Sequence, residues 1–207
     1  MKYLWLAPIA FFSTVPVAAA DCRADIQALL QAGETWQNYR IETATLIEGV
    51  PVQHTGQWFR DYSHFYQIVE ETGVHWLVLG SEEYTSSDGE TWQRSQMRSE
   101  NWLEETLAQN ARLRESIRDT ECGTETIDGK AFAHFAYIQE TTSPVASRSR
   151  VSVWLDPETL RPAVRRMIVT TPAQAVDFGE TRAEIAGSEV EMTTQYYWDE
   201  KIVLPSP

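Results

Sequence analysis

Residues 39–47 read Tyr-Arg-Ile-Glu-Thr-Ala-Thr-Leu-Ile, and their pattern is the strongest indication of a β-sheet in this sequence. Successive side chains of a β-strand point to opposite faces, so the alternation of Tyr39, Ile41 and Ile47 with Arg40 and Glu42 predicts a half-buried strand. Just before it, residues 25–33 carry their apolar side chains at helical spacing. The period therefore changes from 3.6 to 2 near residue 39, which predicts a short helix followed by a sheet.

The two-residue period recurs along most of the remaining chain. Further strands are predicted at residues 55–60, 63–70, 74–79, 83–85, 91–94, 124–127, 131–140, 151–155, 164–170 and 190–198. A second helix is predicted between these two sets of strands, and residues 172–187 are predicted to form an excursion or a loop. The order helix, strands, helix, strands favours an α+β fold whose antiparallel sheet has its helices on one side.

Residues 1–20 are predicted to be a secretory signal that is cleaved near Ala20. Lys2 precedes an apolar run that ends at Val17, and the small side chains of Ala18 to Ala20 suit a signal peptidase. An uncleaved anchor is the alternative. Asp21 stands before Cys22, where a lipobox needs a small residue, so we expect an unacylated periplasmic protein. Residues 21–207 show no linker or repeat and are expected to form one domain.

The two cysteines of the chain, Cys22 and Cys122, are expected to form a disulfide, because export leads to an oxidising compartment. Neither cysteine has a nearby histidine that would complete a zinc site, and no histidine pair has metal-site spacing. Seventeen basic and 30 acidic residues give a net charge of −13, and removing Lys2 with the signal leaves −14. This charge disfavours nucleic acid and anionic membrane surfaces as partners.

Four groups of short motifs resemble one known family in their order along the chain. They are Val78–Tyr84 with Ser87–Trp92, Ile127–Lys130 with Ala133–Phe135, Val153–Pro162, and Tyr196–Trp198 with Ile202–Pro205. In this order the motifs are similar to those of the LolA-like superfamily of exported bacterial lipoprotein carriers and lipid-binding proteins, above all its LppX- and LprG-type members. The resemblance implies a curved, half-open antiparallel sheet, a half-barrel whose concave face is covered by helices around an apolar cavity for acyl chains. It brings no catalytic residue and no cofactor.

Alternation combined with this resemblance gives a predicted ligand cavity. Its strand walls are expected to be Trp76, Val78, Phe135, Tyr137 and Val153, and its helical cover to include Leu103 and Leu107. The expected partner is a lipid or an acylated protein, with an envelope or membrane protein as a further partner and a monomeric state. Aromatic side chains on strands also occur in ordinary cores, so the alternative for each of these residues is core packing.

Two other functions are alternatives to a carrier or sensor of lipids. The same fold could be a protein-interaction module of the envelope. An exported hydrolase ranks last, because the sequence has no nucleophile-elbow, phosphate-loop or dinucleotide motif. Asp61, Ser63 and His64 are close in sequence, but residues two and three apart on a strand are not expected to form a catalytic triad. No catalytic residue is therefore predicted.

Overall fold

The structure is a computed structural model that describes residues 22–141, 145–178, 181–198 and 201–207. The predicted signal sequence, residues 1–20, lies outside the described residues. Two α-helices are present in these ranges, α1 (Cys22–Ala32) and α2 (Trp102–Ser116), and a 3-10 turn at Gly33–Thr35 follows α1. Neither described helix has the length and apolar character needed to cross a membrane.

The described ranges also contain thirteen strands, which together with the two helices make an α+β arrangement. The first six lie between α1 and α2: β1 (Tyr39–Ile47), β2 (Val50–Asp61), β3 (His64–Val69), β4 (Val74–Leu79), β5 (Glu82–Ser86) and β6 (Gln93–Met97). The other seven follow α2: β7 (Arg118–Ile127), β8 (Lys130–Thr141), β9 (Ser147–Leu155), β10 (Pro162–Thr171), β11 (Gln174–Phe178), β12 (Thr181–Ile185) and β13 (Ser188–Trp198).

Eleven of these strands form one antiparallel sheet in the order β6-β5-β4-β3-β2-β1-β13-β10-β9-β8-β7. The sheet is open, because its edge strands β6 and β7 do not pair with each other in the described part of the chain. The α+β class and the antiparallel sheet are thereby confirmed, whereas the half-barrel curvature and the likeness to the LolA-like superfamily stay predictions. Strands β11 and β12 form a separate two-stranded sheet, so residues 172–187 contain an excursion from the main sheet rather than an irregular loop.

Two hairpins have two-residue turns that match their sequences. Glu48 and Gly49 join β1 to β2 with φ values of 50° and 80°, and Asp128 and Gly129 join β7 to β8 with the same values. Positive φ at both central residues is the geometry of tight hairpin turns, which favour glycine at the second position. These turns fix the register of the strands they connect.

The register assigns side chains to the two faces of the sheet. Tyr39 lies opposite Trp198 on one side and Phe59 on the other, and the row continues to Phe65 and Val78. We call the face that carries Tyr39 the inner face, because both helices lie over it. Side chains two residues apart share a face, so Ile41 also belongs to it.

A filled core lies at one end of the inner face, between α1 and strands β8 and β9. It consists of buried residues that contact one another: Ile26, Ile117, Tyr137, Val151, Val153 and Leu155. Ile26 comes from α1 and is fully buried. Complete burial of an aliphatic side chain contributes about 1.5–3 kcal/mol, so this helix is held to the sheet mainly through Ile26 and its neighbours.

The disulfide between Cys22 and Cys122 is present, with an S–S distance of 2.03 Å and a Cα–Cα distance of 5.7 Å. This separation is typical of an unforced bridge. Cys22 is the first residue of α1, and Cys122 lies in the edge strand β7. The prediction of this pair is therefore confirmed, and the bridge fastens the start of α1 to the sheet edge.

Candidate functional site

A cavity of about 470 Å³ lies between the inner face and the two helices. This volume falls within the usual range of small-molecule sites, about 300–1,000 Å³. Its walls come from the sheet, from the segments around both helices and from the helices themselves: Leu29, Leu30, Gly33, Trp36, Tyr39, Ile41, Gln57, Phe59, Tyr62, Phe65, Arg98, Trp102, Thr106, Tyr137, Val153, Pro162, Arg165 and Tyr196. Most of these side chains are aromatic or aliphatic, so the cavity suits an apolar ligand.

A row of aromatic rings across three strands forms its floor. Tyr39 stacks on Phe59 with 4.7 Å between ring centroids, and Phe59 lies 5.2 Å from Phe65. Trp198 lies 5.2 Å from Tyr39 on the other side and is 5.1 Å from Trp36. Directly opposed residues of an antiparallel pair are close enough for such ring contacts. The strand register therefore builds the floor as one continuous apolar surface.

The cover of the cavity is held by contacts between the two helical regions. Glu34, in the turn after α1, forms an ion pair with Arg114 of α2. The Gln27 side chain donates a hydrogen bond of 3.0 Å to the carbonyl oxygen of Arg114. The side chains that α2 directs into the cavity are Trp102 and Thr106, which are four residues apart and share one side of the helix.

All five predicted strand-wall residues lie on the inner face. Phe135 is opposite Val153 and Tyr137 is opposite Val151, while Val78 is opposite Phe65. Trp76 shares the face with Val78 because it is two residues away. The alternation therefore assigned these side chains to one side of the sheet correctly, over strands that are far apart in the chain.

The predicted residues do not all line the main cavity. Tyr137 and Val153 do, and they also belong to the filled core. Trp76 and Val78 line a smaller cavity of about 220 Å³, which shares Phe65 and Arg98 with the main one. Phe135 is half-buried against the filled core.

Leu103 and Leu107 are half-buried in α2 and are not among the described lining residues of the main cavity. The preceding residues, Trp102 and Thr106, lie there instead. One residue corresponds to about 100° around a helix axis, so the predicted spacing is present but rotated. The apolar stripe of α2 is too weak to fix its orientation from sequence.

A second small cavity of about 210 Å³ adjoins the main one on the side of the filled core. It shares Leu30, Tyr137 and Arg165 with the main cavity, and it also contains the polar side chains of Asn110 and Gln139. Asn110 donates a hydrogen bond of 2.8 Å to the Tyr62 hydroxyl. The site thus combines an apolar chamber with a more polar one.

Two phenols in the wall are kept neutral by their surroundings. Burial raises the pKa of Tyr137 to about 12, and burial also raises the pKa of Tyr39 well above its usual value. The nearby charge of Arg165 lowers both pKa values, but by less than burial raises them. A desolvated phenol is costly to ionise, so neither residue is a base at neutral pH.

Asp61, Ser63 and His64 come together, contrary to the sequence expectation. The chain turns between β2 and β3, and the Ser63 hydroxyl lies 2.9 Å from both Asp61 Oδ1 and His64 Nδ1. His64 Nδ1 also lies 2.9 Å from Asp61 Oδ1. The three side chains meet because the chain turns between Asp61 and His64, and side chains close in sequence can contact one another in a tight turn.

The geometry of this turn is nevertheless not that of a catalytic triad. In a triad one imidazole nitrogen faces the serine and the other faces the acid, whereas here Nδ1 of His64 faces both. Burial, the largest effect on Asp61, raises the pKa of its carboxyl, but hydrogen bonds from His64 and Ser63 outweigh it and the pKa is lowered. The cluster therefore stabilises a turn with an ionised aspartate.

The comparisons with known proteins give no assignment for this site. No protein-family model matches the chain, and no curated protein matches it either. Within the described ranges, no three side chains of His, Cys, Asp or Glu are grouped so that they could hold a metal ion.

Several wall residues were missed from the sequence although signals for them existed. Tyr39 and Tyr196 both lie on predicted strands, but no local pattern connects them, since β1 and β13 are far apart in the chain. Arg165 shares its face with Met167 and Val169 on β10, so a charge on an apolar face was visible in the pattern. Trp36 follows a helix end and has no periodic signal.

Proposed function

We propose that this protein binds the acyl chain of a lipid or of a lipid-modified protein, as a carrier or sensor. The observation that carries this proposal is the cavity of about 470 Å³ between the aromatic floor and the helical cover. Each methylene moved from water into such an environment gains about 0.8 kcal/mol. An acyl chain of ordinary length can therefore bind tightly through the transfer of its methylene groups from water into the cavity alone.

The fold-level resemblance supports the same function. The chain has an open antiparallel sheet with helices over one face, which is the coarse arrangement expected of the LolA-like superfamily. Side chains from β3, β2, β1, β13, β10, β9 and β8, which are neighbours in the sheet, contribute to one cavity.

The volume of the cavity favours one acyl chain over several as its ligand. At about 470 Å³ the cavity is in the lower half of the range for small-molecule sites. A single acyl chain that reaches into the adjoining cavities fits this size better than the bundled chains of a triacylated lipoprotein. A periplasmic location, as expected from the sequence, would give the protein access to such lipids.

The test is binding of a fluorescent acyl probe to the purified mature protein. Thr106 faces the cavity and its hydroxyl donates only to the Trp102 carbonyl of its own helix, so Thr106→Trp places an indole in the ligand space. We expect this change to weaken probe binding at least tenfold. Gln109→Trp is the matched control, because it adds the same ring to an exposed position of α2 and should leave binding unchanged.

Val153→Asp is a less useful test, although Val153 also lines the cavity. Val153 is 4% exposed and belongs to the filled core, so an unpaired charge there would unfold the domain before it reported on binding. The proposal is wrong if the wild type binds no acyl probe, or if a folded Thr106→Trp variant binds the probe as tightly as the wild type. Circular dichroism establishes that each variant is folded.

An interaction module is the second candidate, and a different region favours it. Ile47, Val50 and Val52 are 43%, 61% and 41% exposed, and they cluster at the hairpin between β1 and β2. Exposed apolar side chains in a group often mark a contact surface. If the wild type fails to bind acyl probes, serine substitutions at these three positions become the experiment of choice, with self-association measured by analytical ultracentrifugation.

A further inference from the structure

We propose that the ligand is a single-chain amphiphile with an anionic head group, and that Arg165 binds this head group at the junction of the two adjoining cavities. This inference rests on the proposed function and adds the chemical class of the ligand. The chain would occupy the larger, aromatic cavity. The head group, a carboxylate or a phosphate, would lie beside the guanidinium.

Arg165 is an unpaired cation on an apolar wall. It lines both the main cavity and the smaller one, and it lies opposite Val153 on one side and Thr194 on the other. Its Nε is buried and has no hydrogen-bond partner. Within the described ranges, no carboxylate forms an ion pair with its guanidinium.

The other arginines near the cavity differ from Arg165 in this respect. Arg98 pairs with Glu83 and lies over the Trp102 ring, and Arg114 pairs with Glu34. A desolvated cation without a partner is unfavourable, so buried charges in proteins are normally paired. Arg165 therefore has the unused binding capacity that an anionic ligand would meet.

The surroundings of Arg165 suit a head group rather than a second chain. The smaller cavity beside it holds the amide side chains of Asn110 and Gln139, which can donate to an oxyanion. A guanidinium binds a carboxylate or phosphate through two parallel hydrogen bonds, which fixes the orientation of the ligand. The apolar floor next to it would direct the tail into the main cavity.

Arg166 supplies a matched control from the same strand. It points to the opposite face and makes two hydrogen bonds with Glu191, of 2.8 and 3.0 Å. The two arginines are adjacent in sequence and carry the same charge, but only Arg165 faces the cavity. Removing either charge changes the net charge of the protein equally, so a difference between them reports the position of the charge.

The experiment measures binding of hexadecanoate, hexadecyl phosphate and hexadecan-1-ol to delipidated mature protein at pH 8 by displacement of a fluorescent probe. We expect the wild type to bind at least one of the two anions about tenfold or more tightly than the alcohol, since hydrogen bonds to charged groups exceed neutral ones. The tighter of the two anions identifies the head-group chemistry. Arg165→Met should abolish this preference by weakening anion binding alone, and Arg166→Met should leave it intact.

Each other outcome has a defined meaning. Equal binding of alcohol and anions by the wild type overturns the role of Arg165 but leaves the acyl-binding function standing, whereas binding of none of the three overturns both. Equal loss of alcohol and anion binding in Arg165→Met shows a structural role and also overturns the inference. If Arg165→Met does not fold, the wild-type preference and the Arg165→Lys variant decide. A lysine variant that keeps part of the preference for the anions supports the inference. A lysine variant that keeps this preference in full, or loses it, overturns the inference.

Discussion

The inner face of the sheet is filled beneath α1 at one end but hollow over β1, β2 and β3. At the filled end, branched aliphatic side chains such as Ile26 and Val151 meet from helix and strand and leave almost no exposed surface. In the hollow region, large rings such as Phe59 face Gly33 and Thr106, which are small. The comparison shows that the two regions have similarly apolar strand surfaces and differ in whether the side chains of the helical cover fill the space above them.

The disulfide should have the largest effect on this arrangement. Replacing both cysteines, Cys22→Ser with Cys122→Ser, should lower the free energy of unfolding by about 2–5 kcal/mol, because the bridge closes a long loop and holds α1 at the filled end. Urea denaturation followed by circular dichroism measures it. A loss below about 1 kcal/mol would mean that the filled core holds α1 without the bridge.

Ile26→Ala probes the filled end directly. The Ile26 side chain is fully buried. Its truncation should therefore lower the free energy of unfolding by about 2–5 kcal/mol, through lost burial and a new void. Urea denaturation of the variant gives this number. Ile47→Ala is the control: its side chain is 43% exposed at a hairpin end, and the same truncation there should cost far less.

Phe65→Ala tests the hollow region, because Phe65 borders space that is already empty. In filled cores the change from Phe to Ala costs about 3–5 kcal/mol. Phe65 lines both the main cavity and the one beside Trp76, so we expect a loss below about 3 kcal/mol. A cost equal to that of a filled core would contradict the hollow description. Thermal and urea unfolding with the same probe allow direct comparison with Ile26→Ala.

The smallest expected effect is the pH dependence of stability that arises from carboxyl groups in turns outside both regions. The Lys130 side chain donates to Asp156, and this bond together with amide donors holds the pKa of Asp156 at about 2; amide hydrogen bonds also lower the pKa of Asp88. A carboxyl whose folded pKa is lowered contributes stability that is present above its unfolded value, near 3.8, and is lost as pH falls toward the folded value.

We therefore expect the melting temperature to fall as the pH is lowered from about 5 to about 2, and Asp156→Asn to show a shallower decline. Thermal melts at a series of pH values measure both. Glu158→Gln, at an exposed position of the same turn, is the control. An identical decline in the wild type and in Asp156→Asn would exclude this turn as a source of the pH dependence.

Local patterns in the sequence were enough to predict many strands of the sheet. The strand predicted at residues 39–47 has those bounds in the structure, as does the one at residues 74–79. Leu77 and Val78, on opposite faces of β4, are both buried, as an apolar run without alternation indicates. These features depend on neighbouring residues only, which is why the sequence carries them.

Features that depend on distant pairing could not be predicted in the same way. The floor of the cavity requires Ile41 to lie opposite Tyr196, and no local signal specifies that pair. The rotation of α2, which exposes Thr106 rather than Leu107 to the cavity, depends on contacts such as the ion pair between Arg114 and Glu34. The turn at Asp61 was misread because strand spacing was applied across a strand end.

The pairing of β1 with β13 has a consequence for how the chain folds. Strands β1 to β6 pair in sequence order, and so do β7 to β10, so each group can form from contacts between neighbouring segments. Joining residues 39–47 to residues 190–198 instead closes a very long loop, which costs entropy before it gains any contact. That junction brings Tyr196 and Trp198 beside Tyr39. The cavity is thus completed by the strand that follows all the other described strands of the sheet in sequence. We expect a chain truncated before residue 188 to lack the junction between the two groups of strands.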